Sequence, residues 1–466
     1  MKHILAIAIS FGIIGSPALA IKRFYGISRS VRAHGMGGAF YGLSDDEYAL
    51  FYNPAGLGIY RGKGQFRLST RVATTVDTIS STGTLSSTFS GSGKSTSEMI
   101  NSLLSLQGKP LGGNVSIMPS FMTRKFALGI LLPDLKVDFS VLGAGIDTSV
   151  DLSLIADAGI LLSFASNFMD NQLSIGITPK FLTRVGGTKN IAAIDIVQGD
   201  KVDSDINSFG GYGAGVDFDL GASYKIPALP FGLVNRASFI LSNVLATNYP
   251  MGSSRASSSS VGVPGLVRMV SLGWYTAFPG IGIIDNFHTV LDLAEFGFGG
   301  EADDTRGGRG GSFWKHVNVG LEAPILGWFV PRTGIHQGNI TLGFGLRTRI
   351  LELDYAWFGE ELLGGVGRYT ARSHELRVAV GFGAATPAPI SLETLQSKPQ
   401  GFEAPPESGN PDEVNSPDQP MDPVPKTKTG PAIQPTPKVE AVPSTAPNEN
   451  RIPQSIRSSH PSNQKR

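Results

Sequence analysis

The residues able to do chemistry in this 466-residue chain are spread thinly, in patterns that do not converge. His34, His288, His316, His336 and His374 stand apart, with no H-E-x-x-H or comparable metal-ligand spacing. There is no G-x-S-x-G nucleophile elbow. The absence of cysteine removes thiolate catalysis, thiolate metal sites and disulfides together. Gly35-Met36-Gly37-Gly38 lacks both a preceding strand and the G-x-G-x-x-G spacing of a phosphate loop. The expectation is a non-enzyme with no catalytic site, metal or cofactor. A net charge of +1 argues against electrostatic binding of nucleic acid.

Three other groups of residues could serve a function. The first is the polar, glycine-rich stretch Arg29 to Tyr60. In it Gly35, Gly37 and Gly38 permit positive φ and close backbone approach. Asp45, Asp46 and Glu47 form an acidic cluster. Asn53-Pro54-Ala55 is a turn signal, because proline fixes its own φ and pushes Asn53 towards extended backbone. Such a stretch is unsuited to a membrane strand and suited to filling a narrow barrel lumen. The second group is a set of charges on one phase of strand-like segments: Lys180, Asp217, Asp219, Arg236, Asp292, Arg347, Glu352, Asp354 and Arg377. The cations could hold a substrate carboxylate; pairing with one another, or anchoring a plug, is the commoner role. The third is Ser95 to Gln107, where Ser95-x-x-Glu98 reads as a helix capping box. Its apolar face of Met99, Ile100, Leu103, Leu104 and Leu106 would either pack on a barrel rim or capture a greasy ligand.

The elements that must position these residues are strands. Two-residue alternation runs through Phe126–Leu132, Val150–Phe164, Asn171–Phe181, Val216–Leu220, Ile340–Arg347, Leu351–Trp357 and Glu375–Phe382. About 14 strands are expected, beginning near 64, 112, 125, 149, 171, 208, 232, 264, 285, 313, 326, 339, 350 and 373. Short connections at 123–125, 167–170, 227–230, 278–284, 325–327 and 348–350 alternate with long ones at 81–111, 133–148, 186–207, 245–263, 297–312 and 358–372. That alternation is typical of outer-membrane barrels. Only 333–338 is short where a long loop is due. An even strand number puts both termini in the periplasm. Phe287, Phe298, Trp274, Tyr275, Tyr355, Trp357 and Phe358, near strand ends, are expected in aromatic girdles.

The ends of the chain differ from this middle. Met1-Lys2-His3, the apolar run Ile4–Ile14 and Ala18-Leu19-Ala20 read as a signal peptide over 1–20. A hatch over 21–62 and a barrel over 63–383 follow. The remainder, 384–466, holds 17 of the 30 prolines and is expected to be a disordered periplasmic tail. A periplasmic partner or peptidoglycan would be within its reach.

The order G-M-G-G-A-F, short spacer, D-D, then Y-N-P-A-G-L, within Ser30–Gly58, resembles the N-terminal hatch of the FadL (OMPP1/TodX) outer-membrane transport family and its PorV-like relatives. The strand pattern agrees with that family over most of 21–383. The resemblance implies an all-β, transmembrane antiparallel β-barrel of 14 strands with an N-terminal hatch plugging the lumen. It also implies passive uptake of hydrophobic compounds such as long-chain fatty acids, with release as the hatch near Asn53–Gly58 shifts. Only Asn53, Pro54 and Ala55 match the hatch motif residue by residue. The implied surroundings are outer-membrane lipid and a hydrophobic small-molecule ligand, around a monomer. The proline-rich tail departs from the simplest transporter and raises the alternative of a non-transporting, PorV-like scaffold for secretion or surface-attachment partners.

Overall fold

The computed structural model describes residues 27, 29–60, 62, 64–89, 96–142, 149–192, 211–227, 233–249, 263–297, 312–362, 366–367 and 369–383. The expected signal peptide and proline-rich tail lie outside the described residues, as do Ser95 and Phe298.

Fourteen antiparallel strands close into a barrel in which every strand pairs with its sequence neighbours and the first pairs with the last. The first five are β1 (Gln65–Thr75), β2 (Leu111–Met122), β3 (Phe126–Leu142), β4 (Ser149–Phe168) and β5 (Leu173–Ala192). Next come β6 (Gly211–Ile226), β7 (Val234–Ser242), β8 (Met269–Ala277), β9 (His288–Gly297) and β10 (Val317–Glu322). The last four are β11 (Phe329–His336), β12 (Asn339–Arg347), β13 (Leu351–Glu361) and β14 (Thr370–Gly383). The alternation does what its period requires. In β1, Phe66, Leu68 and Val72 are exposed on the outside, while Gln65, Arg67, Ser69 and Arg71 are buried inside. Exposed Leu, Ile, Val and Phe recur outside on β2 to β14. A closed ladder with an apolar exterior satisfies every backbone group a bilayer would leave bare, so the fold is a transmembrane-type barrel. Among the described residues no helix is long and apolar enough to cross a membrane.

The wall is uneven. β4 and β5 have 20 residues each, whereas β10 has 6 and β11 has 8. The tall side corrects two expected loops: β3 runs to Leu142 and takes up most of 133–148, and β5 extends to Ala192. β3 continues past Pro133 through a bulge. Leu131 pairs with Gly159, but the next pair across β4 is Asp134 with Asp157. The extra residue accommodates a proline that cannot donate to the ladder, and it shifts the phase so that Asp134 faces inward like Leu131. The two-residue connection Gln337–Gly338, both with positive φ, makes the tight β11–β12 hairpin.

The stretch after β1 folds into α2 (Val76–Ser80), α3 (Thr82–Phe89) and α4 (Thr96–Leu104), following the hatch helix α1 (Val31–Gly35). The expected girdle is corrected at two positions. Tyr275 and Phe358 are buried and face the lumen, where Tyr275 lies under the Arg236 guanidinium and Phe358 stacks on His34.

Candidate functional site

Residues 30 to 60 are almost wholly buried inside the barrel. Ser30 caps α1 by accepting from the Ala33 amide, and α1 lies against β11, β12, β13 and β14. Asp46 caps a one-turn helix over Glu47–Leu50, and Asn53 caps another over Pro54–Gly58. That second turn packs on β4, β5 and β6, so the stretch reaches from the short wall to the tall one. Gly37 and Gly38 have φ of +67° and +73°, the left-handed region that glycine tolerates. Gly35 has another reason to be glycine: its Cα lies against Gly343 of β12.

Glycines in the wall match this backbone. A Cβ on Gly334 would stand 2.5 Å from the Gly37 amide nitrogen, and one on Gly320 would stand 2.4 Å from the Met36 oxygen. Gly273 faces the Gly42 nitrogen at 2.4 Å, Gly176 faces Pro54 at 2.5 Å, and Gly221 faces the Asn53 side chain at 2.3 Å. Glycine weakens a strand, and its use at these inward positions marks close backbone approach. The wall is moulded to the plug.

Charge fastens the same stretch. Arg32 of α1 donates two hydrogen bonds to Glu322 of β10, each 2.8 Å, and pairs with Asp45 at 2.6 Å and Asp46 at 3.1 Å. Glu322 also accepts from Arg332 at 2.6 Å and lies near His288 and Arg347. Glu47 pairs with Arg67 at 2.6 Å and with Arg377. His34 meets Glu375 at 2.6 Å, and Glu375 reaches Arg71. Asp292 of β9 accepts from the Phe40, Tyr41 and Gly42 amides at 2.6, 2.7 and 3.2 Å, gathering three successive donors. Glu47 is held at about 2: burial opposes the ionised form, but Arg377 and Arg67 outweigh it. Asp46 is pushed up to about 6 by burial and by Glu47's charge, against the pull of Arg32. The Asn53–Tyr60 part is attached more lightly. Asn53 donates to Ser223 at 3.0 Å, Ser174 donates to the Ala55 oxygen at 2.8 Å, and Asn167 donates to the Gly58 oxygen at 3.0 Å.

A second element enters the lumen where an external loop was expected. Of Asn243–Tyr249 and Val263–Val267, from the β7–β8 connection, Asn243, Thr247, Tyr249, Gly265, Leu266 and Val267 are buried, while Leu245 and Asn248 are exposed. Asp217 accepts from the Leu245 and Thr247 amides, both at 3.0 Å. Lys180 pairs with Asp219 at 2.6 Å and donates to Asn243 at 2.7 Å. Arg184 pairs with Asp157 at 2.6 Å and donates to the Pro264 oxygen at 2.7 Å. Above this anchorage Leu182, Tyr249 and Leu266 form an apolar cluster, with Val263 and Ile27 packed against it.

The sequence-derived charges are therefore all inside, and all engaged. Lys180, Asp217 and Asp219 hold the infolded loop. Arg236 faces Tyr275 at 5.3 Å, Arg347 lies 3.8 Å from Glu322, and Asp354 pairs with Arg332 and Arg377 at 2.6 Å each. Glu352 pairs with Arg67 at 2.8 Å. The geometry assigns them to anchorage. Arg32, Arg67, Arg71, Arg184, Glu322, Arg332 and Glu375 were not singled out, although the phase of β1 marks Arg67 and Arg71 as inward. Of the predicted loop helix, Leu103 is buried and Leu104 half-buried, and Leu106 just beyond is buried. The side chains of Met99 and Ile100 lie outside the described residues. The Tyr369 hydroxyl donates to the Gly108 oxygen, tying this loop to the β13–β14 connection. No cluster of His, Asp and Glu fit for a metal ion occurs among the described residues.

These features define a plugged transmembrane-type β-barrel. No family model and no curated protein matches the sequence. The solved structures similar to the chain include the following three. One is the CymD monoaromatic hydrocarbon channel (10% identity, TM-score 0.37, over 78% of this chain and 99% of that one). Another is the Pseudomonas putida toluene transporter TodX (12%, 0.37, over 78% and 98%). The third is the Ralstonia pickettii toluene transporter TbuX (12%, 0.38, over 78% and 98%). At these values the architecture rests on the strand order of this chain itself.

Proposed function

We propose that the chain is an outer-membrane channel for passive uptake of hydrophobic compounds, long-chain fatty acids among them, closed at rest by its hatch. The observation that carries this reading is the apolar cluster of Leu182, Tyr249 and Leu266, which the infolded β7–β8 segments make with β5, apart from the apolar clusters that the hatch makes with the wall. Displacement of the infolded segments would open these buried side chains to an apolar ligand entering from the long-loop end. A filled lumen is the wrong design for a general polar pore. Gating follows from the unequal fastening of the hatch. Removing one partner of a buried ion pair costs about 3–5 kcal/mol, whereas a neutral hydrogen bond contributes about 0.5–1.5 kcal/mol. Movement therefore starts at Asn53–Tyr60, not at Arg32–Glu47.

The test is mass spectrometry of small molecules released from the protein purified in mild detergent, beside a Leu182→Asn/Leu266→Asn variant. The expected result is an apolar ligand retained by the native protein and reduced at least tenfold in the variant. Equal emptiness of both would overturn the uptake reading and favour a scaffold role.

A further inference from the structure

The short-turn end of the barrel carries an apolar surface that the transport reading does not use. The connections β8–β9 (278–287) and β10–β11 (323–328) fold onto each other there. Ile281 bridges Ile284, Ile284 bridges Ile325, and Ile325 bridges Phe329, so the sheet continues past the strand ends. The Asp285 amide donates to the Pro324 oxygen at 2.8 Å, and the Leu326 amide to the Ile283 oxygen at 3.1 Å. The polar side chains are turned to the backbone: Asp285 accepts from the Gly327 amide at 2.8 Å, and Asn286 from the Gly280 amide at 3.0 Å. What faces outward is Ile281 (69% exposed), Ile283 (64%), Leu326 (62%) and Trp328 (54%).

We propose that this double turn is a lipid-inserted foot, occupied by the acyl chains and glycerol region of the inner leaflet. Its position supports that occupant. A strand needs about 9–11 residues to cross a bilayer, and β10 and β11 have 6 and 8. The wall is too short at these strands, and the foot lengthens it there. It is continuous with the lipid-facing side: Trp328 adjoins Phe329, which adjoins Phe344 and then Tyr355, with ring centroids 5.9, 6.3 and 5.3 Å apart. Ile281 and Ile284 exchange two backbone hydrogen bonds, and the Asp285 and Leu326 amides donate across the two turns, which lowers the cost of entering hydrocarbon. Tryptophan at the edge is the residue that prefers the membrane interface. The proposal rests on the barrel being membrane-spanning, so its test must separate the two statements.

The chain has four tryptophans, Trp274, Trp314, Trp328 and Trp357, and variants retaining one each, with the others changed to Phe, report three environments. Trp274 faces outward within β8 and Trp314 is exposed beyond β9 at the long-loop end. Each variant is placed in phosphatidylcholine vesicles, which contain no other protein, with acyl chains plain or brominated and iodide on both sides. Brominated chains should quench Trp328 at least twofold, and iodide should quench it at least fivefold less than Trp314. Adding Ile281→Asn and Leu326→Asn should restore iodide access. Quenching of Trp328 by iodide as strongly as Trp314, with Trp274 still quenched by lipid, would overturn the foot alone. Escape of Trp274 as well from brominated chains would overturn the membrane barrel and the foot with it.

Discussion

Where β1 meets β14 the barrel closes with Arg71 directly opposite Arg377, a like-charge pair that by itself would oppose closure. Glu47 of the hatch pairs with Arg377, and Glu375 and Asp134 take Arg71. A plug residue thus neutralises the seam of the wall. Because Glu47 is held at about 2 against an ordinary value of 4.5, it contributes stability above pH 4.5 that is lost as pH falls through about 2. At 1.36 kcal/mol per unit this is about 3 kcal/mol. Asp46 acts in the opposite sense. Raised to about 6, its site favours the proton, so stability falls as pH rises from about 4 to 6. Conductance in planar bilayers should therefore rise as pH is lowered from 4.5 towards 2. Glu47→Gln should leak already at neutral pH with a flattened acid response. A Glu47→Gln channel as tight as the native one would show that this carboxylate does not hold the plug.

At the scale of elements, the wall glycines supply a test that separates moulding from strand stability. Valine is favoured over glycine in a strand by up to about 1 kcal/mol, so Gly320→Val should not weaken β10. It should instead drive a methyl-bearing carbon into the Met36 carbonyl oxygen and displace the end of α1, raising conductance while heat-modifiable gel mobility stays native. Lost heat-modifiability would mean that the barrel itself had failed. Gating is tested by Ala55→Cys with Ser174→Cys, next to the 2.8 Å bond between these residues. In an otherwise cysteine-free chain, oxidation should block uptake and a reductant should restore it. Uptake that persists in the oxidised protein would remove Asn53–Tyr60 as the moving part. How far such elements can be read from sequence depends on the range of the forces that make them. The strand starts are local and legible, because alternation is set within each segment. Continuation of β3 through Pro133 was not legible, since a bulge is decided by both partner strands. The inward turn of the β7–β8 connection depends on Asp217 and Arg184, far back in the chain. Arg32 and Glu322 are 290 positions apart, and no local pattern announces such a partner.

For the molecule as a whole, the question is whether the barrel needs its plug to stand. Most wall charges that pair with the hatch also have a partner in the wall; Asp292, held by the Phe40, Tyr41 and Gly42 amides, is the exception. Glu322 keeps Arg332, Arg67 keeps Glu352, Arg377 keeps Asp354, and Arg71 keeps Glu375 and Asp134. Deleting Ala33 to Gly58 therefore leaves the ion-paired wall charges partnered, and of the carboxylates that hold the hatch Asp292 is the one that loses its donors. The vacated lumen fills with water, which lowers the cost of the remaining polar groups further. The ladder, closed from β1 to β14, has no edge at which to open. The deletion variant should fold, resist proteolysis as the native barrel does, and conduct ions steadily in planar bilayers at many times the native level. Steady conductance no higher than native would mean that residues 33–58 do not seal the lumen. An unfolded product would mean that the hatch is part of the wall's own stability, and that the glycine-moulded contacts, not the charges, hold the barrel closed.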